Sequence, residues 1–198
     1  MPDLKKLIIK TNKMNKFFIL FFLCLVYAYP QSKQGEISQS KHANSAVKSK
    51  TTTFILIRHA EKESNGDNPN LSGDGISRAE ELRHVLNTVP ISAIYSTPYN
   101  RTRQTVQSLA FERGIPITEY AAKNPAKQLI DEVLASYIGK TVVIVGHSNT
   151  VPEIIKTLTN GFNKITISES QYDNMFIITC QDKLDPIFMQ LKYGKSTQ

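Results

Sequence analysis

Arg58 and His59 stand together at the end of the apolar run Phe54-Ile55-Leu56-Ile57. Arg101 follows a second such run, and His147 closes a third. A guanidinium offers a paired set of N–H donors to phosphoryl oxygens, and an imidazole beside it offers a nucleophile. The Arg58-His59 pair therefore suits capture and transfer of a phosphoryl group. Taken alone, it equally fits a strand end that happens to be polar.

The elements around these residues place them at comparable positions. Phe54 to Ile57 has no polar alternation, as expected of a short strand buried on both faces. In open α/β sheets, ligands bind beyond the carboxyl ends of such strands. After a loop rich in Asn, Gly and Asp comes Leu71-Ser72-Gly73-Asp74-Gly75, where Ser72 is a helix N-cap and Asp74 falls in the first turn. Ile76, Ala79, Leu82, Leu86 and Val89 then recur at helical spacing. Ile91 to Tyr95 predicts a second strand, leading through Pro98 into a helix whose first turn carries Arg101 and Arg103. Residues two apart on a helix diverge, so only one of these arginines can face a given site. Ile115 to Thr118 predicts a brief strand, and Ala126 to Ile138 the cleanest helical stripe. Val142 to Val145 is a buried strand ending in Gly146-His147-Ser148, and Pro152 opens a further helix. Lys164 to Ile167, Asn174 to Thr179 and Ile187 to Leu191 read as strands that extend one edge of the sheet. The alternation predicts a three-layer α/β/α sandwich around a mostly parallel sheet.

At 198 residues the chain is one domain with an addition at the front. Its net charge of +7 is concentrated there: five lysines and one aspartate lie in residues 1–28, leaving about +3 beyond them. No basic run interleaved with aromatics remains to track a nucleic-acid backbone, which argues against nucleic acid as a partner. No Cys or His spacing suggests a metal site. Lys13 to Lys16 followed by the apolar run Phe17 to Ala28 has the layout of an export signal over residues 1–28, with Met14 as its natural start. The run is short of the roughly 20 residues needed to span a bilayer, so any membrane contact would come through an uncleaved signal. Residues 29–50, rich in Gln, Ser, Lys and Asn, read as a disordered linker. Residues 51–198 are then the working domain, exported to a periplasm or beyond.

Two other motifs fail on inspection. Gly139-Lys140-Thr141 mimics the tail of a P-loop, but Leu134 stands where the required glycine belongs, and the helix precedes the strand. Gly146-His147-Ser148 suggests a nucleophile elbow, but Thr150 replaces its closing glycine, and no histidine follows the serine to complete a triad.

Taken together, the strand ends resemble the histidine phosphatase superfamily, which includes the cofactor-dependent phosphoglycerate mutases. Arg58-His59-Ala60-Glu61-Lys62 is similar to that superfamily's Arg-His-Gly motif, with Ala60 in the glycine's place. Leu71 to Gly75 with Arg78-Ala79 resembles its Leu-Thr-x-x-Gly…Arg-Ala helix start. Ser96-Thr97-Pro98-Tyr99-Asn100-Arg101-Thr102-Arg103-Gln104-Thr105 resembles Ser-Ser-Pro-x-x-Arg-Ala-x-Gln-Thr, which singles out Arg101 over Arg103. Val145 to Asn149 is similar to the second-histidine motif. The resemblance spans residues 53 to about 193.

It implies a phosphoglycerate mutase-like fold and hydrolysis of phosphate monoesters or phosphoryl groups through a phosphohistidine on His59, without metal or other cofactor. Arg58, Arg101 and His147 would bind the phosphoryl oxygens, and substrates would be phosphorylated small molecules or phosphorylated protein side chains. Two guanidiniums supply fixed positive charge for such a transfer. His147 would help most as imidazolium, giving a mildly acidic to neutral optimum. For the leaving-group acid the expectation is Glu61, two residues past the nucleophile and on its side if the strand continued, with Glu119 behind it. A non-catalytic phosphoryl-binding module and a mutase-type phosphotransferase are the alternatives.

Overall fold

The computed structural model describes residues 50–181 and 184–197. The export signal and most of the linker expected from sequence lie outside them. Strand β1 (Thr51–Arg58) is the spine of the domain. It pairs in parallel with β4 (Thr141–Gly146) on one side and antiparallel with β5 (Asn174–Gln181) on the other. β2 (Ile91–Ser96) and β3 (Ile117–Glu119) continue the parallel side, and β6 (Ile187–Lys192) closes the antiparallel side, in the order β3-β2-β4-β1-β5-β6. The six-stranded sheet is therefore mixed.

Helices cover both faces, as strands without a polar face require. α1 (Gly73–Val85) and α2 (Asn100–Arg113) bury Leu82, Leu86, Val106 and Leu109 against Ile55, Ile57, Val143 and Val145. α3 (Ala126–Tyr137) and α4 (Thr150–Leu158) bury Leu129, Val133, Val151 and Ile155 against Phe54, Leu56, Val142 and Ile144. Alternate residues of β1 thus serve opposite cores, and the expected α/β/α sandwich is what forms. Ser72 caps α1, its side chain accepting from the Gly75 amide at 3.2 Å.

One expected strand is absent. Lys164 to Ile167 is irregular and joins no sheet; Ile165 and Ile167 pack onto the α3/α4 core without a ladder partner. Alternation of isoleucines reported burial there, not pairing. Among the described residues, no helix is long and apolar enough to cross a membrane.

Candidate active site

The parallel register of β1 and β4 sets the two histidines side by side. Arg58 pairs with Gly146, so His59 and His147 are the next residues out on adjacent strands. The His59 amide donates to the Gly146 carbonyl at 2.9 Å. The imidazole centroids are 5.4 Å apart at 64°, a separation that one tetrahedral oxyanion can bridge. Gly146 makes room for the turn that holds His147, because a Cβ there would stand 2.5 Å from Thr150 Oγ1, which accepts from the His147 amide.

His59 is 3% exposed and its Nδ1 lies 2.7 Å from the Ala60 carbonyl oxygen. A carbonyl only accepts, so Nδ1 carries the proton and Nε2 holds the lone pair. Burial, countered in part by that carbonyl and reinforced by Arg58, His147 and Arg101, lowers the His59 pKa to about 3. The ring is neutral across the physiological range with its proton on Nδ1. His147 lies 2.9 Å through Nε2 from Thr97 Oγ1, which in turn meets Thr102 Oγ1 at 2.9 Å. Burial, then Arg101 and Arg58, brings His147 down to about 4. Burial and the two guanidiniums thus outweigh Glu169, the neighbouring carboxylate that favours the imidazolium expected at this position.

The start of α2 delivers Arg101. Its guanidinium stacks 4.5 Å over the Tyr99 ring, and its Nε is buried without a hydrogen-bond partner. Arg103 points away, paired with Glu119 at 3.0 Å on the surface. The same helix ties down the loop that follows His59. Thr105 Oγ1 accepts from the Ala60 amide at 2.9 Å, and Gln104 Oε1 from the Leu71 amide at 2.8 Å. That is what the Gln-Thr pair of the motif does here.

Arg58 is 1% exposed and almost wholly committed to residues far along the chain. Nη1 donates to the carbonyls of Ser168 and Gln171, and Nη2 to Glu169 Oε2 at 2.7 Å. The guanidinium lies 4.3 Å over the Tyr172 ring, while Nε is buried and unpartnered. A hollow of about 390 Å3 opens over the two histidines, lined by His59, Arg101 and His147 with Lys62, Tyr99 and Glu169 at its sides.

Glu61 has a different task from the one expected. Its carboxylate accepts from Nε and Nη2 of Arg78 at 2.7–3.1 Å and does not line the hollow. β1 ends at Arg58, so strand alternation does not carry Glu61 to the side of His59. Arg78 also donates to the carbonyls of Tyr193 and Lys195. Gly75 lets α1 approach this segment, since a Cβ there would meet the Glu61 carbonyl oxygen at 2.0 Å. Glu119 is likewise spent, on Arg103. Sequence reasoning missed Glu169 altogether: it sits in an irregular turn and reaches Arg58 across 111 positions.

A family model for the histidine phosphatase superfamily (branch 1) matches residues 54–123, the stretch holding Arg58, His59 and Arg101. His147 lies outside that stretch. In that stretch the chain is similar to the histidine phosphatase superfamily. Solved structures of similar fold include the protein histidine phosphatase SixA complexed with tungstate, at 14% identity and a TM-score of 0.60, covering 71% of this chain and 96% of that one. Mycobacterial glucosyl-3-phosphoglycerate phosphatase matches at 13% identity and a TM-score of 0.54, covering 65% of this chain and 90% of that one. YhfR of Bacillus stearothermophilus matches at 17% and 0.53, covering 64% and 90%. At such identities the likeness speaks for the fold. No curated protein sequence matches the chain.

Proposed function

We propose that this protein is a member of the histidine phosphatase superfamily, an exported phosphatase that moves a phosphoryl group from its substrate to His59 Nε2 and then to water. The observation that carries this reading is the His59 Nδ1 contact with the Ala60 carbonyl, which leaves Nε2 as an unprotonated lone pair facing the hollow. Arg101 and His147 line that hollow, and both guanidiniums keep an unpartnered Nε. A phosphate monoester carries close to two negative charges near neutral pH. Its transfer depends on positioning and fixed positive charge more than on covalent help.

Attack by Nε2 forms an N–P bond as the P–O bond to the leaving group breaks. The Nδ1–H contact with Ala60 stabilises the positive charge that then develops on the ring. A bound dianion also reverses the electrostatic setting of His147, pulling it back toward imidazolium, where it donates to a phosphoryl oxygen. Substrates of this class are phosphorylated small molecules or protein side chains; the names of the similar structures include both kinds. Export rests on residues 13–28 of the sequence.

Hydrolysis of 4-nitrophenyl phosphate by the full chain, with acid-labile phosphate trapped on the protein, tests the reading. His59→Ala should abolish both. Tungstate binding without turnover by the unaltered chain would instead support a phosphoryl-binding module, and transfer to an alcohol in preference to water would support a phosphotransferase.

A further inference from the structure

We propose that Glu169 is the leaving-group acid of this site, held as the counter-ion of Arg58 until a phosphoryl group takes that guanidinium over. The inference rests on the phosphatase reading above and adds the residue that completes it. Glu169 is the one carboxylate among the described residues lining the hollow that holds His59, Arg101 and His147. Its Oε2 accepts from Arg58 Nη2 at 2.7 Å, and its Oε1 accepts from Ser148 Oγ at 2.6 Å. Ser148 immediately follows His147, so the carboxyl is anchored beside both the phosphoryl-binding arginine and the second histidine. The side chain is 80% exposed, so its carboxyl exchanges protons with solvent.

The electrostatics change in the direction the chemistry needs. Within the protein, the Ser148 hydrogen bond first and then Arg58 hold the Glu169 carboxyl below the usual range. It is then a carboxylate, suited to neutralising Arg58. A phosphoryl dianion that engages Arg58 removes the cation from Glu169 and sets two like charges beside it. Both changes favour protonation. The carboxylic acid so formed lines the hollow and is placed to protonate the departing ester oxygen.

The proton ledger closes over one turnover. As the N–P bond to His59 forms, the P–O electron pair leaves with the ester oxygen and takes the Glu169 proton, releasing an alcohol. The Glu169 carboxylate then removes a proton from water as its oxygen attacks phosphorus. The N–P bond breaks, His59 returns to its neutral Nδ1–H form, and phosphate departs with Glu169 protonated again. An acid placed in this way fits the site to monoesters of ordinary alcohols, whose oxygen cannot leave unprotonated.

The test uses the full chain and its Glu169→Gln and Glu169→Ala variants on phosphate esters of graded leaving-group acidity, from 4-nitrophenyl to phenyl to an alkyl phosphate. The rate of His59 phosphorylation is read in a single turnover. Because the side chain is exposed, both variants should keep their melting temperature and bind tungstate. Each should lose about 100- to 10,000-fold on the alkyl ester and far less on 4-nitrophenyl phosphate. An equal loss on every ester, with weakened tungstate binding, makes Glu169 a support for Arg58 and overturns the assignment. Tighter tungstate binding with undiminished rates makes it only a competing anion, with the same result. If the unaltered chain binds tungstate but never phosphorylates His59, the phosphatase reading fails and takes this one with it.

Discussion

Lowering the pH from 7 to 5 should remove about 4 kcal/mol of folding stability, through the two histidines of the site alone. Burial and the neighbouring guanidiniums hold His59 at about 3 and His147 at about 4. Unfolding returns both to about 6.5. The folded values lie below the unfolded ones, so it is the unfolded chain that gains protons as the solution is acidified. This contribution is fully present above pH 6.5 and declines as pH falls through the window toward 4 and 3. By pH 5 unfolding takes up nearly two protons, and each histidine accounts for about 2 kcal/mol relative to pH 7. Most carboxylates titrate below that window. Urea unfolding at pH 7, 6 and 5 in phosphate-free buffer, followed by circular dichroism, measures the slope. The double variant His59→Gln, His147→Gln provides the control and should lose most of it. A flat profile for the unaltered chain, or a double variant as pH-sensitive as its parent, would refute the electrostatic account of the site.

The same reasoning predicts proton uptake when tungstate binds at pH 6, because a dianion raises the His147 pKa from about 4; calorimetry in buffers of different ionisation enthalpy measures it, and His147→Asn should largely remove it. Arg101→Ala should lower kcat/KM on an aryl phosphate by at least about 100-fold, on the scale of losing a charge-stabilising donor. Arg103→Ala, whose partner Glu119 is exposed, should leave it within about twofold, since surface pairs contribute little. Gly75→Ala should destabilise the fold by about 1–3 kcal/mol in the same urea assay, because its Cβ meets the Glu61 carbonyl oxygen at 2.0 Å and the backbone must give way.

What could be read in advance followed from short-range rules. The apolar runs of β1 and β4 have no polar face, so their burial between helices was legible, and so was Ser72 as a cap. Arg101 and Arg103 differ by two positions on one helix, and helical geometry alone required that only one face the hollow. The choice between them came from the family motif. Contacts set by distant chain escaped notice. Nothing near Arg58 announces that its guanidinium will be gripped by the carbonyls of residues 168 and 171. Nothing near Ser168 or Gln171 marks Glu169 as a member of the site. Glu61 was misread because strand alternation was extended past Arg58, where β1 stops and Arg78 takes the carboxylate. The isoleucines at 165 and 167 bury like a strand's but find no neighbour to pair with.

The grip on Arg58 and Arg78 bears on how this protein comes into being. Both arginines sit in the first half of the folded domain, yet their carbonyl partners lie 110 to 117 positions later. A chain emerging in order from the ribosome has His59 long before it has the pieces that shape the surroundings. Contacts between such remote stretches form late. Half-made copies should therefore be chemically silent, with competence arriving as a single event once the last strand has docked.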